Sequence, residues 1–428
     1  MTDLVLRGSG GRFEASVAVP GDKSLSHRAL IFAGMAEGDS VVRGLGTGQD
    51  IASTASILID LGIEIEGEAG REHRLRSQGI DSWTQPAQAL DCGNSGTTMR
   101  LLAGALSTSA VEATLTGDAS LSNRPMNRLV EPLRAIGGVI EPTNGSAPLN
   151  VGGASGARAA DVELPIASAQ VRTAFELGAL AGDGSSTIDS PAGFRDHTER
   201  WLEALGRGSW VTDTRFRIDP GPLPAGLYEV PGDPSSAAFM WACAALHEGS
   251  VVTTPRVSLN PGRLGFLQIL EQMGAQVDAD VTGDTGGDPI GDVTVTGAGL
   301  VGTTVDGDLV AAALDELPLV AVLGSCAEGL TSVRDAAELR GKESDRIDAV
   351  VDMVRALDGG AEAAPDGFDI VGTGMLGGGT VATHHDHRIA MAAAIAATVA
   401  TDAVTIEDAE VAAVSWPGFY STLEGLWL

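Results

Sequence analysis

The chain has 428 residues, 43% of them hydrophobic, and carries a formal net charge of −30. That length exceeds one ordinary core and predicts two domains of roughly 200 residues each, while the acidic surplus repels polyanions and argues against nucleic acid or an anionic membrane as partner. Met1 to Gly11 has no basic region leading into an apolar run, and the longest apolar stretch, Ile389 to Ala400, falls short of a bilayer span.

The first motif is Pro20-Gly21-Asp22-Lys23-Ser24-Leu25-Ser26-His27-Arg28. A Pro-Gly turn enters a helix that Asp22 or Ser24 can cap, and Lys23, Ser24 and Arg28 project from its first turns beside a favourable anion position. A capped surface helix is the plainer alternative. Only two lysines occur, Lys23 and Lys342, and both lie in polar motifs. Where arginine supplies nearly all the positive charge, these two offer a compact ammonium whose proton can be tuned.

From Ile57 to Ile65 an apolar helical pattern closes on Gly62 and runs into a short strand. The same unit returns at Leu129 to Ile140 with Gly137, Trp201 to Gly206, Leu264 to Val277 with Gly274, and Val350 to Ala361 with Gly359. A glycine just past a helix supplies a left-handed cap, and the recurrence predicts repeated α/β units.

Asp91-Cys92-Gly93-Asn94-Ser95-Gly96-Thr97-Thr98-Met99-Arg100 is a small-residue loop leading into a helix over Leu101 to Leu106. Gly96 lets backbone amides approach a ligand, although the spacing fits neither a P-loop nor a dinucleotide fingerprint. Cys92, Cys243 and Cys326 form no CxxC pair and sit among small apolar residues, which predicts buried thiols in a reducing, cytoplasmic setting. In Leu121-Ser122-Asn123-Arg124-Pro125-Met126, proline at a first helical position would set Arg124 just before the helix, its planar fork ready for carboxylate or phosphate. Ser168 is a candidate cap, and Gln170 a partner for a sugar-like ring, ahead of the next apolar helix. Phe194 to Arg200 sets a row of polar groups before Trp201, with Asp196 or Thr198 as a candidate cap.

Val230-Pro231-Gly232-Asp233, followed by Ser235, Ala244, Glu248 and Gly249, repeats Val19 to Asp22 followed by Ser24, Ala33, Glu37 and Gly38 at a constant offset. This duplication predicts two similar domains, residues 21–229 and residues 1–20 plus 230–428, with two chain crossings that form a hinge.

Asp315, between an apolar run and Pro318, is a candidate base. In Leu339 to Arg346 the spacing sets Lys342 and Arg346 four apart on a helix, with Glu343 on an adjacent face. A carboxylate beside two cations stays ionised unless desolvated, so an acid role for Glu343 calls for a buried site or a proton shuttle. An exposed, salt-bridged helix end is the alternative. His384-His385-Asp386-His387-Arg388 invites a metal, yet adjacent residues do not easily converge on one ion and no second ligand cluster stands elsewhere. An anion site capped by Asp386, with Arg388 as donor, fits better, and no metal is expected.

The strings PGDKSLSHRAL, GNSGTTMR, NRPM, ASAQVR, FRDHTER, DELP, GKESDR and DHRIAM, in this order, resemble the 5-enolpyruvylshikimate-3-phosphate synthases of the enolpyruvyl transferase family. The resemblance implies an α/β fold of two similar domains. Each would hold three βαβαββ repeats in an inside-out α/β barrel, and a double crossover would let them close over substrate. It implies transfer of the enolpyruvyl group of phosphoenolpyruvate to the 5-hydroxyl of shikimate 3-phosphate, for aromatic amino acid biosynthesis, by a cytoplasmic monomer needing no cofactor. It assigns Lys23, Ser24, Arg28, Ser168, Ala169, Gln170, Arg195, Asp315 and Lys342 to shikimate 3-phosphate. Lys23, Gly96, Arg124, Gln170, Arg346 and Arg388 fall to phosphoenolpyruvate. Asp315 would be the base, Glu343 the acid, and Lys23 a further catalytic group.

Two departures stand out. Val414 occupies the place of a lysine found in some relatives, and Ala169 lacks a hydroxyl found in others. Gly96 leaves space that implies inhibition by glyphosate in competition with phosphoenolpyruvate. A UDP-amino-sugar enolpyruvyl transferase typically has asparagine after the first lysine and a cysteine before the arginine-proline pair. Here Ser24 follows Lys23, and no cysteine lies between Gly117 and Arg124. A non-catalytic ligand-binding paralogue, the other alternative, would have no need of both Asp315 and Glu343.

Overall fold

A computed structural model describes residues 2–8, 10–67 and 72–427. Met1 and Ser9, within the segment read for a leader, lie outside them. The chain divides into two units: Gly21–Pro231 with Asp284–Asp288, and Met1–Pro20 with Gly232–Gly283 and Pro289–Leu428. Residues 284–288, expected with the second domain, group with the first. Asp288 meets the His197 Nδ1 there at 2.9 Å, both side chains fully buried.

Each unit contains three small sheets. The repeated pattern is plainest in the strands 90–91, 112–116, 140–143 and 146–152. The first two are parallel, the fourth is antiparallel to the second, and the third closes a hairpin on the fourth. Strands 161–163, 186–189, 208–210 and 216–218 follow the same plan, as do 304–305, 328–333, 360–364 and 367–373. Three copies borrow a strand from far along the chain. Strand Ala36–Arg43 takes its parallel neighbours from Leu223–Pro224 and Leu227–Glu229. Val251–Ser258 takes Glu14–Ser16. Val404–Ile406 takes Leu4–Leu6 where the other copies have a hairpin strand.

Helices link the strands: α1 (Lys23–Met35), α2 (Gln49–Asp60), α3 (Gly96–Ser107), α4 (Val130–Ala135), α5 (Ala169–Ala179) and α6 (His197–Ala204) in the first unit. The second has α7 (Pro234–Leu246), α8 (Gly265–Gln272), α9 (Gly307–Ala313), α10 (Leu317–Cys326), α11 (Arg346–Ala356), α12 (His387–Ala397) and α13 (Phe419–Glu424). The first helices of the repeats are apolar nearly all round and form the cores, while α2, α6, α8 and α11 keep one polar face. Gly104 admits α5 against α3, since a Cβ there would sit 2.2 Å from the Ala174 carbonyl oxygen. Gly307–Cys326 forms a helical run long and apolar enough by length and composition to cross a membrane, longer than the sequence reading allowed. It is mostly buried within its unit and carries Asp308, Asp315 and Glu316, as a core helix with a polar joint does.

Four of the five cap glycines, Gly62, Gly137, Gly206 and Gly274, take positive φ. At the fifth, Asp358 holds the left-handed position (φ 59°) instead. Gly359 is small for another reason: a Cβ there would approach the Val354 Cγ1 to 2.6 Å.

Candidate active site

The repeats set the polar motifs at the N-terminal ends of helices. In the first unit, Asp22 caps α1 by accepting from the Leu25 N–H at 2.8 Å, so Lys23 and Ser24 open the helix. Asp233 repeats this on α7 through the Ser235 N–H, which gives the duplicated motif its physical meaning. Lys23 Nζ lies 3.1 Å from Asp50 at the start of α2. The Arg28 side chain is buried. Its Nε donates to Thr198 Oγ1 at 2.7 Å, Nη2 to Thr173 Oγ1 at 2.9 Å, and Nη1 to the Ser24 carbonyl at 3.0 Å. His27, between these two cations, meets Thr54 Oγ1 at 2.7 Å, and a hydroxyl chain runs on through Thr98 to Ser95, the cap of α3. Burial pulls the His27 pKa down to about 3; Asp50 opposes this and Lys23 and Arg28 add to it.

Gly96 begins α3 below two arginines: a Cβ there would lie 2.7 Å from Arg100 Nη1 and 3.5 Å from Arg124 Nη1. Arg100 Nη1 donates to Gln170 Oε1 at 2.7 Å, and Gln170 Nε2 to Thr97 Oγ1 at 3.0 Å, which ties the starts of α3 and α5 together. Arg124 donates to Asn94 Oδ1 at 2.9 Å.

Several local readings need correction. Arg124 does not precede an α-helix; it lies extended between two 3-10 turns, and α4 starts only at Val130. Ser168 takes the cap position of α5 without making a side-chain cap bond, and Ala169 follows it as the first helical residue. Asp196 pairs with Arg200 at 2.8 Å rather than capping α6, and the Thr198 hydroxyl serves Arg28. Arg195 lies half-buried just before Asp196.

In the second unit, Asp315 occupies a 3-10 turn between α9 and α10. Three cations approach it: Arg346 Nη1 at 3.4 Å, Lys342 Nζ at 3.8 Å and Arg388 Nη2 at 3.9 Å. Lys342 to Asp345 precede α11, so Lys342 and Arg346 do not share a helical face as predicted. Their convergence comes from tertiary packing. Arg346 is fully buried and reaches Glu343 at 2.6 Å and Asp386 at 2.8 Å. Burial works to lower its pKa, but Asp386, Glu343 and Asp315 outweigh that and drive it up. Asp386 also caps α12 through the Arg388 N–H, as expected of a cap. Arg388 Nη1 donates to the Asp315 carbonyl at 2.9 Å. Among the described residues, no group of three or more His, Cys, Asp or Glu could hold a metal ion.

The description EPSP synthase (3-phosphoshikimate 1-carboxyvinyltransferase) belongs to a family model that matches residues 8–423. The chain is a member of the EPSP synthase family. The 3-phosphoshikimate 1-carboxyvinyltransferase of Herpetosiphon aurantiacus is 45% identical to it over 96% of both chains. That of Roseiflexus castenholzii is 44% identical over 96% of this chain and 97% of its own. The solved EPSP synthase of Acinetobacter baumannii superposes with a TM-score of 0.89 at 37% identity, covering 100% of this chain and 98% of that one. The enolpyruvyl transferase NikO of Streptomyces tendae shares the fold, with a TM-score of 0.78 at 16% identity over 99% of this chain and 97% of that one. The chain is thus a transferase of the shikimate pathway.

Sequence reasoning passed over four polar residues of this EPSP synthase family member. Arg100 and Arg172 are cations inside apolar helices, a signal legible in the sequence, because a charge flanked by apolar residues must be paired. Asp50 and Glu316 gave no such signal. Glu316 is buried and bonds the Ser235 hydroxyl, while Asp50 opens an ordinary amphipathic helix.

Proposed function

We propose that this chain transfers the carboxyvinyl group of phosphoenolpyruvate to the 5-hydroxyl of shikimate 3-phosphate, releasing phosphate. The observation that carries this reading is that Arg346, besides its pair with Asp386, holds two further carboxylates, Asp315 at 3.4 Å and Glu343 at 2.6 Å. A reaction that takes a proton from a hydroxyl and delivers one to a methylene carbon needs two such groups, and its anionic substrates need cations beside them.

In this reading Asp315 accepts the 5-hydroxyl proton as that oxygen attacks C2, and Glu343 protonates C3, giving a tetrahedral phosphate ketal. Loss of phosphate, which carries off the proton taken up by Asp315, with return of the C3 proton to Glu343, leaves the enol ether. A substrate oxyanion competes with Glu343 for Arg346 and so frees the carboxyl for proton transfer. Lys23, Ser24, Arg28, Ser168, Ala169, Gln170, Arg195, Asp315 and Lys342 take shikimate 3-phosphate. Lys23, Gly96, Arg124, Gln170, Arg346 and Arg388 take phosphoenolpyruvate. Side-chain cations supply the charge stabilisation, so the chemistry requires no metal or organic cofactor, and the enzyme works as a cytoplasmic monomer.

Phosphate release from the two substrates together is the direct test. No release with both present refutes the assignment, as does equal release when a UDP-amino sugar replaces shikimate 3-phosphate. Glyphosate is expected to inhibit in competition with phosphoenolpyruvate; inhibition unaffected by added phosphoenolpyruvate refutes that part.

A further inference from the structure

Two arginines in the first unit lie close in the fold yet have opposite electrostatic fates. Arg172, on α5, has no exposed surface and meets a carboxylate, Glu199 Oε1, at 2.6 Å. Its guanidinium also lies over the Phe194 ring, 3.9 Å from the centroid. Arg28, on α1, is nearly as buried, but all three of its hydrogen-bond acceptors are neutral: Thr198 Oγ1, Thr173 Oγ1 and the Ser24 carbonyl. The two threonine oxygens are 2.6 Å apart, so each hydroxyl also fixes the other. A guanidinium has five N–H donors. Among the described residues three of Arg28's are engaged, leaving one on each terminal nitrogen.

We propose that Thr173 and Thr198 are positioning residues for shikimate 3-phosphate: their hydroxyls fix the Arg28 guanidinium without cancelling its charge, so that its remaining donors meet an anionic group of the substrate. This rests on the reaction proposed above, in which Arg28 takes shikimate 3-phosphate. A carboxylate in place of either hydroxyl would hold the arginine equally well but would already satisfy its charge, as Glu199 does for Arg172. Burial lowers the Arg28 pKa, with Glu199, Asp22, Glu176 and Asp288 opposing, which is consistent with a cation short of compensation.

The test is steady-state kinetics on wild type, Thr198→Val, Thr198→Ser and Thr173→Val, each substrate varied in turn. Valine keeps the shape and removes the acceptor, leaving a buried N–H of Arg28 unpaired, so KM for shikimate 3-phosphate should rise about ten-fold or more. KM for phosphoenolpyruvate and kcat should stay within about two- to three-fold, and Thr198→Ser should restore the wild-type value. A shikimate 3-phosphate KM unchanged in both valine variants overturns the inference. So does a fall in kcat with equal rises in both KM values, or failure of serine to rescue. If Thr198→Val does not fold, Thr173→Val, which leaves the Nε bond intact, decides by the same criteria. Wild-type protein that releases no phosphate overturns the reaction itself, whereas turnover with an unshifted KM in the variants overturns only the role of the threonines.

Discussion

Single atoms at Gly96 decide how closely two arginines approach the start of α3. Gly96→Ala would place a methyl group 2.7 Å from Arg100 Nη1 and 3.5 Å from Arg124 Nη1. Arg100 would have to move from Gln170, so KM for phosphoenolpyruvate should rise by about ten-fold or more, with a smaller change for shikimate 3-phosphate. Lys23→Ala and Glu343→Ala should each retain the circular dichroism of the fold while turnover falls by roughly two to four orders of magnitude. Full activity in either variant removes that residue from the mechanism. His27 sets a different expectation. Its pKa is depressed in the folded chain to about 3 from an ordinary value of 6.5. The unfolded chain therefore binds a proton that the folded chain refuses. Above pH 6.5 this group does not affect stability; as the pH falls from 6.5 toward 3 stability is lost progressively, at most by about 5 kcal/mol. Urea unfolding of wild type and His27→Gln at stepped pH should show a shallower acid limb in the variant; superimposable limbs contradict this.

At the level of elements, apolar helices with capped starts were readable: α3 contains the predicted Leu101 to Leu106, and α12 opens two residues before the apolar run Ile389 to Ala400 and ends three residues short of it. What could not be read was whether a polar run continues a helix. Leu339 to Asp345 has the charge spacing of a helix but forms a 3-10 turn and a loop, because Asp345 caps α11 through the Ile347 and Asp348 N–H groups and fixes its start. Asp358 likewise took the left-handed position assigned to Gly359, since a short polar side chain tolerates that conformation. The loop before α12 strains more: His384 and His385 both hold positive φ, 52° and 57°. His385 is largely exposed, and its ionic partner among the described residues is Asp408 at 3.4 Å, a contact of small value in water. His385→Gly should therefore raise stability by about 1 kcal/mol, read as a higher melting temperature. A lower melting temperature would show that the ion pair outweighs the backbone relief.

For the whole molecule, the formal charge of −30 implies self-repulsion that salt relieves. Thermal unfolding in rising KCl should shift upward, with activity retained; inactivation by high salt contradicts this expectation. The repeat architecture was legible because each copy carries its own apolar helices. The long-range strand exchanges were not, because Leu4–Leu6 and Glu14–Ser16 are too short to announce their partners.

Those exchanges dictate an order of assembly during translation. Residues 223–229 must emerge before the sheet around Ala36–Arg43 gains its parallel neighbours, while Leu4–Leu6 waits unpaired until Val404–Ile406 is synthesised. Leu4–Leu6 thus spends nearly the entire elongation time without a sheet, whereas Glu14–Ser16 waits only until Val251–Ser258 emerges. Those few residues must resist capture by other nascent chains while the intervening unit is already free to condense on the ribosome.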